Sequence, residues 1–161
     1  MHNAENMDDN ALALLGRARA YCASAEQCTP VVRRKLRDWG ADADTADMVV
    51  DRLCEEGYVD DVRFARAYCE SKMLRSGWGR LKVMHQLAMK GLPREAVNAG
   101  MEAVDDEAYM SALEEATRKK AATIRESDPA VRRRKLAAFL AQRGYTMEEV
   151  EVMLRKLGVR S

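Results

Sequence analysis

Long apolar runs are missing from this 161-residue chain, and no window reaches the roughly 18 uninterrupted apolar residues of a membrane-spanning helix. Met1 to Asn10 is polar and acidic and lacks the apolar core of a signal peptide, so a cytoplasmic location is expected. Aromatics make up only 6% of the residues and β-branched strand formers are scarce, which argues against a sheet. Proline is rare, with three, and the nine glycines fall at regular places. The four cysteines (Cys22, Cys28, Cys54, Cys69) have neither CxxC spacing nor a histidine pair, and are expected to be free thiols packing as small hydrophobes. A formal net charge of +1 says nothing by itself about an anionic partner.

What the chain does have is 47% apolar residues, mostly Leu, Ala, Val and Met, arranged with helical spacing. Aligning it on Gly40, Gly91 and Gly144 exposes a repeat of about fifty residues. Four residues before these glycines stand Leu36, Leu87 and Leu140, and eight before stand Val32, Val83 and Leu136. After them come Ala46, Val97 and Val150, then Val50, Met101 and Leu154, then Leu53, Val104 and Leu157. Each unit reads as helix, glycine stop, short turn, helix, because glycine takes the left-handed conformation that ends a helix. Start signals follow the same rhythm: Thr29-Pro30, Asp42, Pro93 in a first turn, Asp128-Pro129, and a capping box at Thr146 and Glu149. Longer helices lead into each pair, over Ala11 to Cys22, Asp61 to Arg75 and Asp106 to Arg125.

The expected fold is all-α: an elongated, curved array of three tandem three-helix repeats, nine helices in all. A polar tail over 1–10 precedes repeats at 11–57, 58–105 and 106–161. Each unit is too small to bury a large core alone, so neighbours should stabilise one another.

Candidate chemistry is sparse. His85 stands alone, His2 is terminal, and Gly77-x-Gly79 has neither the preceding strand nor the Gly-Lys-Ser/Thr of a phosphate loop. No catalytic site, metal or cofactor is expected. The acidic group Glu55, Glu56, Asp60 and Asp61 invites a metal reading, but Asp60 and Asp61 stand where an N-cap and a first-turn acid belong. Basic residues gather before the repeat glycines, as Arg33, Arg34, Lys35 and Arg37, and again as Arg132, Arg133, Arg134 and Lys135. Arg75, Arg80, Lys82 and Lys90 belong to the middle repeat, and Arg118, Lys119 and Lys120 to the third long helix. They form either a discontinuous surface for phosphates or acidic protein, or solvated faces offset by acids such as Asp38 beside Arg34. Trp78, between glycines and near Arg75 and Arg80, reads as a core anchor before a stacking platform. Trp39, Tyr58, Phe64 and Tyr68 read as core.

One segment is more specific. Leu53-x-Glu55-Glu56-Gly57-Tyr58-Val59-Asp60-Asp61 leads to Phe64-Ala65, then to Trp78-Gly79, Val83, Leu87 and Lys90-Gly91, and Leu140 to Tyr145 closes the pattern. This combination resembles the RecX family of recombinase regulators over about Ala11 to Leu157. The resemblance implies a regulator, not an enzyme, that binds the filament of the recombinase RecA as a monomer and modulates it, chiefly by inhibition. It also makes the first and last basic clusters the expected contacts, with single- or double-stranded DNA as a further partner. The alternatives are a helical module gripping DNA without sequence preference, and a solenoid-type adaptor for an unrelated protein.

Overall fold

Apolar residues three and four apart fold this chain into helices, each burying one stripe. The computed structural model describes residues 7–159. The first six residues of the expected tail, with His2, and the last two residues of the third repeat lie outside them. Along the described residues run α1 (Asp9–Ser24), α2 (Thr29–Asp38), α3 (Ala43–Glu55), α4 (Asp61–Glu70), α5 (Arg80–Met89), α6 (Arg94–Glu102), α7 (Asp106–Thr123), α8 (Pro129–Gln142) and α9 (Met147–Lys156). No strand occurs among the described residues. The fold is an all-α array of three-helix units.

The helix starts have side-chain partners. Asp8, Asp42, Asp60, Asp105 and Asp128 each accept a hydrogen bond from a backbone N–H in the first turn that follows. Thr146 and Glu149 close the expected capping box. Each such cap contributes about 1 kcal/mol. Pro93 occupies the N-cap position of α6 instead of its first turn. The expected helix over Asp61 to Arg75 is not uniform: its last five residues, Ser71–Arg75, widen into a π-helical turn. The segment closes at Gly77, whose φ of +68° suits glycine.

Two cores form where three units were expected to lean on one another. The first joins α1, α2 and α3 through Leu15, Ala18, Val32, Leu36, Val49 and Leu53. The second is shared by the middle and third units, from Ala65, Cys69 and Met73 through Val83 and Leu87 to Tyr109, Leu113, Leu140 and Leu154. At its centre α4 crosses α6 closely, for a Cβ on Gly100 would lie 2.8 Å from that of Ala65. Two expected core residues lie at the surface. Tyr58 is 36% exposed because Gly57, at φ +79°, turns the chain out after α3 and leaves Val59 to fill the core. Cys54 is exposed, whereas Cys22, Cys28 and Cys69 are buried free thiols.

The same joint is made twice. The start of the second helix in one unit sits on the glycine turn of the next. Pro30, opening α2, lies against Gly91, where a Cβ would be 3.3 Å from the proline's own. At the following joint the Gly79 N–H donates to the Arg143 carbonyl (2.7 Å) and the Leu81 N–H to the Gly144 carbonyl (3.1 Å). The orphan donors at the start of α5 thus satisfy the orphan acceptors at the end of α8. Any Cβ on Gly79 would overlap the backbone of Gly144 and Tyr145.

Candidate partner-binding surface

Cations can serve a partner only if the fold leaves them free, and the expected candidates divide on that point. Arg33 reaches across to Asp47 of α3 (2.9 Å), and the expected pairing of Arg34 with Asp38 is not among the ion pairs of the described residues. Arg34, Arg37, Arg75 and Arg134 are exposed and have no ion-pair partner there. Arg80 instead ties the middle unit to the third, bonding Asp106 (2.5 Å) and Glu149 (3.3 Å) with its guanidinium 4.0 Å from the centre of the Tyr109 ring. Lys119 pairs with Glu115 on its own helix (3.0 Å).

Arg132 and Arg133 do work inside the third unit. Arg132 donates to the carbonyls of Ala121, Ile124 and Glu126, fastening the irregular segment between α7 and α8. Arg133 donates to the Val159 carbonyl (3.0 Å) and to Glu151 of α9. Reversing these two charges would therefore disturb the fold as well as the surface.

The acidic motif is likewise internal. Glu56 holds Arg19 of α1 and Arg52 of α3, and these bonds lower its pKa from 4.5 to about 2, the Arg19 bond contributing most. Asp60 caps α4 as expected. Asp61 does more: its carboxylate accepts the N–H and the hydroxyl of Thr29, both at 2.7 Å, so the middle unit caps a helix of the first. Glu55 is exposed. Among the described residues no group of three or more His, Cys, Asp or Glu side chains is placed to hold a metal ion.

Trp78 is half-buried at the margin of the second core, and its ring lies between two lysines, with Lys82 Nζ 4.3 Å and Lys72 Nζ 4.7 Å from its centre. Lys72 also approaches Tyr68 (5.8 Å), and Tyr68 stacks on Phe64 at 6.0 Å with the planes 20° apart. Lys90 lies 5.9 Å from Phe64 and 5.7 Å from Tyr68. The result is a ribbon of three half-buried aromatics interleaved with three lysines, none of them ion-paired within the described residues. Such a ribbon offers ring faces for stacking and cations for phosphates. Lys72 was missed in the sequence, although Phe64, Tyr68 and Lys72 stand at successive i,i+4 positions. A smaller group recurs in the first unit, where Arg17 covers Trp39 at 4.1 Å and Tyr21 meets the same ring edge-on.

The chain matches two family models, "RecX, second three-helix domain" over residues 60–101 and "RecX, third three-helix domain" over 106–152. It is 31% identical over 152 residues to a regulatory protein RecX of Clostridium tetani, covering 93% of this chain and 69% of that one. To the regulatory protein RecX of Pelodictyon phaeoclathratiforme it is 32% identical over 126 residues, covering 78% and 77%. The crystal structure of RecX from Lactobacillus salivarius shares the fold, with a TM-score of 0.86 over 96% of this chain and all of that one at 16% identity.

Proposed function

This chain belongs to the RecX family, and from that premise we propose that it regulates homologous recombination and DNA repair, within the SOS response, by binding the RecA recombinase filament. It acts in the cytoplasm, as a monomer and without catalysis, by limiting the filament's ATPase, extension and strand exchange. The observation that carries the proposal is the family relationship itself, which spans all three units. The architecture supports it: units joined in one chain can touch successive protomers of a helical polymer, and weak contacts so linked gain effective concentration. Arg34 and Arg37 in the first unit and Arg134 in the third are the contacts of choice, because they have no ion-pair duty within the described residues.

The test is recombinase ATPase and filament length on single-stranded DNA, with and without this protein. Reversing Arg34, Arg37 and Arg134 to Glu should leave helicity intact and weaken inhibition. Inhibition unchanged by that variant would remove these clusters from the mechanism.

Direct contact with DNA is favoured by the ribbon of Phe64, Tyr68 and Trp78 with its lysines. Stacking of one base on Trp78 is worth roughly 1–3 kcal/mol, and each phosphate contact steepens the salt dependence of binding. Titrating salt against binding to bare single-stranded DNA checks it: Trp78→Ala should weaken binding, and Lys72→Gln with Lys82→Gln should flatten the salt slope.

A further inference from the structure

Two adjoining cavities lie between α7, α8 and the π-helical end of α4, on the joint of the middle and third units. The inner one has a volume of about 280 Å³ and the outer about 670 Å³, and Lys120 and Phe139 line both. Arg75, the last residue of the π turn, lines the inner cavity together with Lys119 and Arg143, and Arg125 and Lys135 line the outer one. Six cations thus face two carboxylates, and each carboxylate is already taken: Glu115 by Lys119 and Glu126 by Lys135, both at 3.0 Å. Four positive charges are left over. Arg143 donates to the Ser76 carbonyl (3.2 Å) and, like Lys120 (4.8 Å), lies over the Phe139 ring (5.0 Å), and neither has a carboxylate partner among the described residues.

Uncompensated like charges round a concavity with partly apolar walls focus a positive potential and repel one another. An anion with several charges close together relieves both. Guanidinium forks from two elements together with an ammonium suit tetrahedral oxyanions better than a single carboxylate. The volumes suit a small ligand. We propose that this joint binds a compact phosphate chain, as found in inorganic tripolyphosphate or a nucleoside triphosphate. The anion clamps the 71–77 segment of the middle unit to α7 and α8 of the third, so that its binding holds the π turn against those helices.

The site goes beyond the recombinase reading and is tested without recombinase or DNA. Calorimetric titration of the full chain at low salt should show saturable, one-to-one binding of tripolyphosphate. Arg75→Gln with Lys120→Gln should weaken it roughly tenfold or more, whereas Arg34→Gln with Arg37→Gln, an equal loss of charge elsewhere, should leave it unchanged. Arg125→Gln, in the irregular segment after α7, should weaken it without touching any helix. ATP should compete; a higher affinity than that of tripolyphosphate adds a place for the base against Phe139. The proposal is overturned if tripolyphosphate shows no saturable binding, if the two double variants lose affinity equally, or if citrate binds as tightly. A DNA oligonucleotide that binds where tripolyphosphate does not would equally overturn it, making this face a phosphodiester track.

Discussion

Glu56 ties two helices of the first unit together through its charge. Bonds from Arg19 and Arg52 hold its pKa at about 2 against an ordinary 4.5, so the folded state favours the ionised form. The stabilisation is complete above about pH 4.5 and is lost as pH falls through the folded value near 2. Solvent screening keeps it to about 1 kcal/mol or less. Glu56→Gln should thus be less stable than the parent at neutral pH, and the difference should shrink as both are unfolded at successively lower pH. A constant difference from pH 6 down to pH 2 would show that Glu56 acts by packing alone. The thiols give a second check. Burial raises the pKa of Cys22 and Cys28 and takes that of Cys69 to about 11. Cys54 is the exposed thiol, though partial desolvation and the carboxylates of Asp61 and Asp51 raise it too. A thiol reagent should therefore label Cys54 first in the native protein and all four cysteines after unfolding. The sequence could not separate these cysteines, since each stands at helical spacing from apolar neighbours; in the fold α3 buries Ala46, Val49, Val50 and Leu53 and leaves Cys54 at the edge of that face.

Between helices, the glycines carry different burdens although the repeat makes them look equivalent. Gly40 has a φ of +98° and nothing within 4 Å of where its Cβ would be. Gly40→Ala should therefore cost about 1–2 kcal/mol, the strain of the left-handed region alone. Gly79 has an ordinary φ of −79°, yet a Cβ there runs into the backbone of Gly144 and Tyr145. Gly79→Ala should cost about 3 kcal/mol or more and should break the bonds from Gly79 and Leu81 to the Arg143 and Gly144 carbonyls. Urea denaturation of the two variants compares them directly, and equal losses would mean that the joint gives way without cost. Gly40, Gly91 and Gly144 were legible in the sequence because a helix stop is a local signal. The reason for Gly79 was not, because the backbone it touches lies more than sixty residues on. Asp61 is a parallel case: its place in the first turn of α4 is local, but its cap on Thr29 spans 32 positions. Caps, stops and helix periods can be read from neighbours in sequence, whereas joints need the fold.

Over the whole molecule, one core serves the first unit and another serves the other two, and the link between them is thin. Among the described residues it includes Asp61 on Thr29, Arg63 on Glu26 at 2.9 Å, the contact of Pro30 with Gly91, the insertion of Cys28 and Val31 into the second core and that of Val59 into the first. A link of a few polar bonds and a few small side chains couples the cores weakly, so the first unit should open without the rest. The two tryptophans make this measurable, since Trp39 packs on the first core and Trp78 on the second. In Trp78→Phe, fluorescence reports the first unit alone; in Trp39→Phe, it reports the joined second and third. Urea unfolding followed in the two variants should give a lower midpoint for the Trp39 signal. Adding Asp61→Ala, which removes the cap on α2 at a cost of about 1 kcal/mol, should widen the gap by lowering the Trp39 midpoint more. Coincident curves in both backgrounds would instead mean a single cooperative block. A first unit that swings on this hinge could adjust to a polymer's pitch while the rigid pair behind it keeps its own contacts. If the partner is the proposed filament, weakening the hinge with Asp61→Ala should alter binding to the filament more than binding to a single isolated subunit.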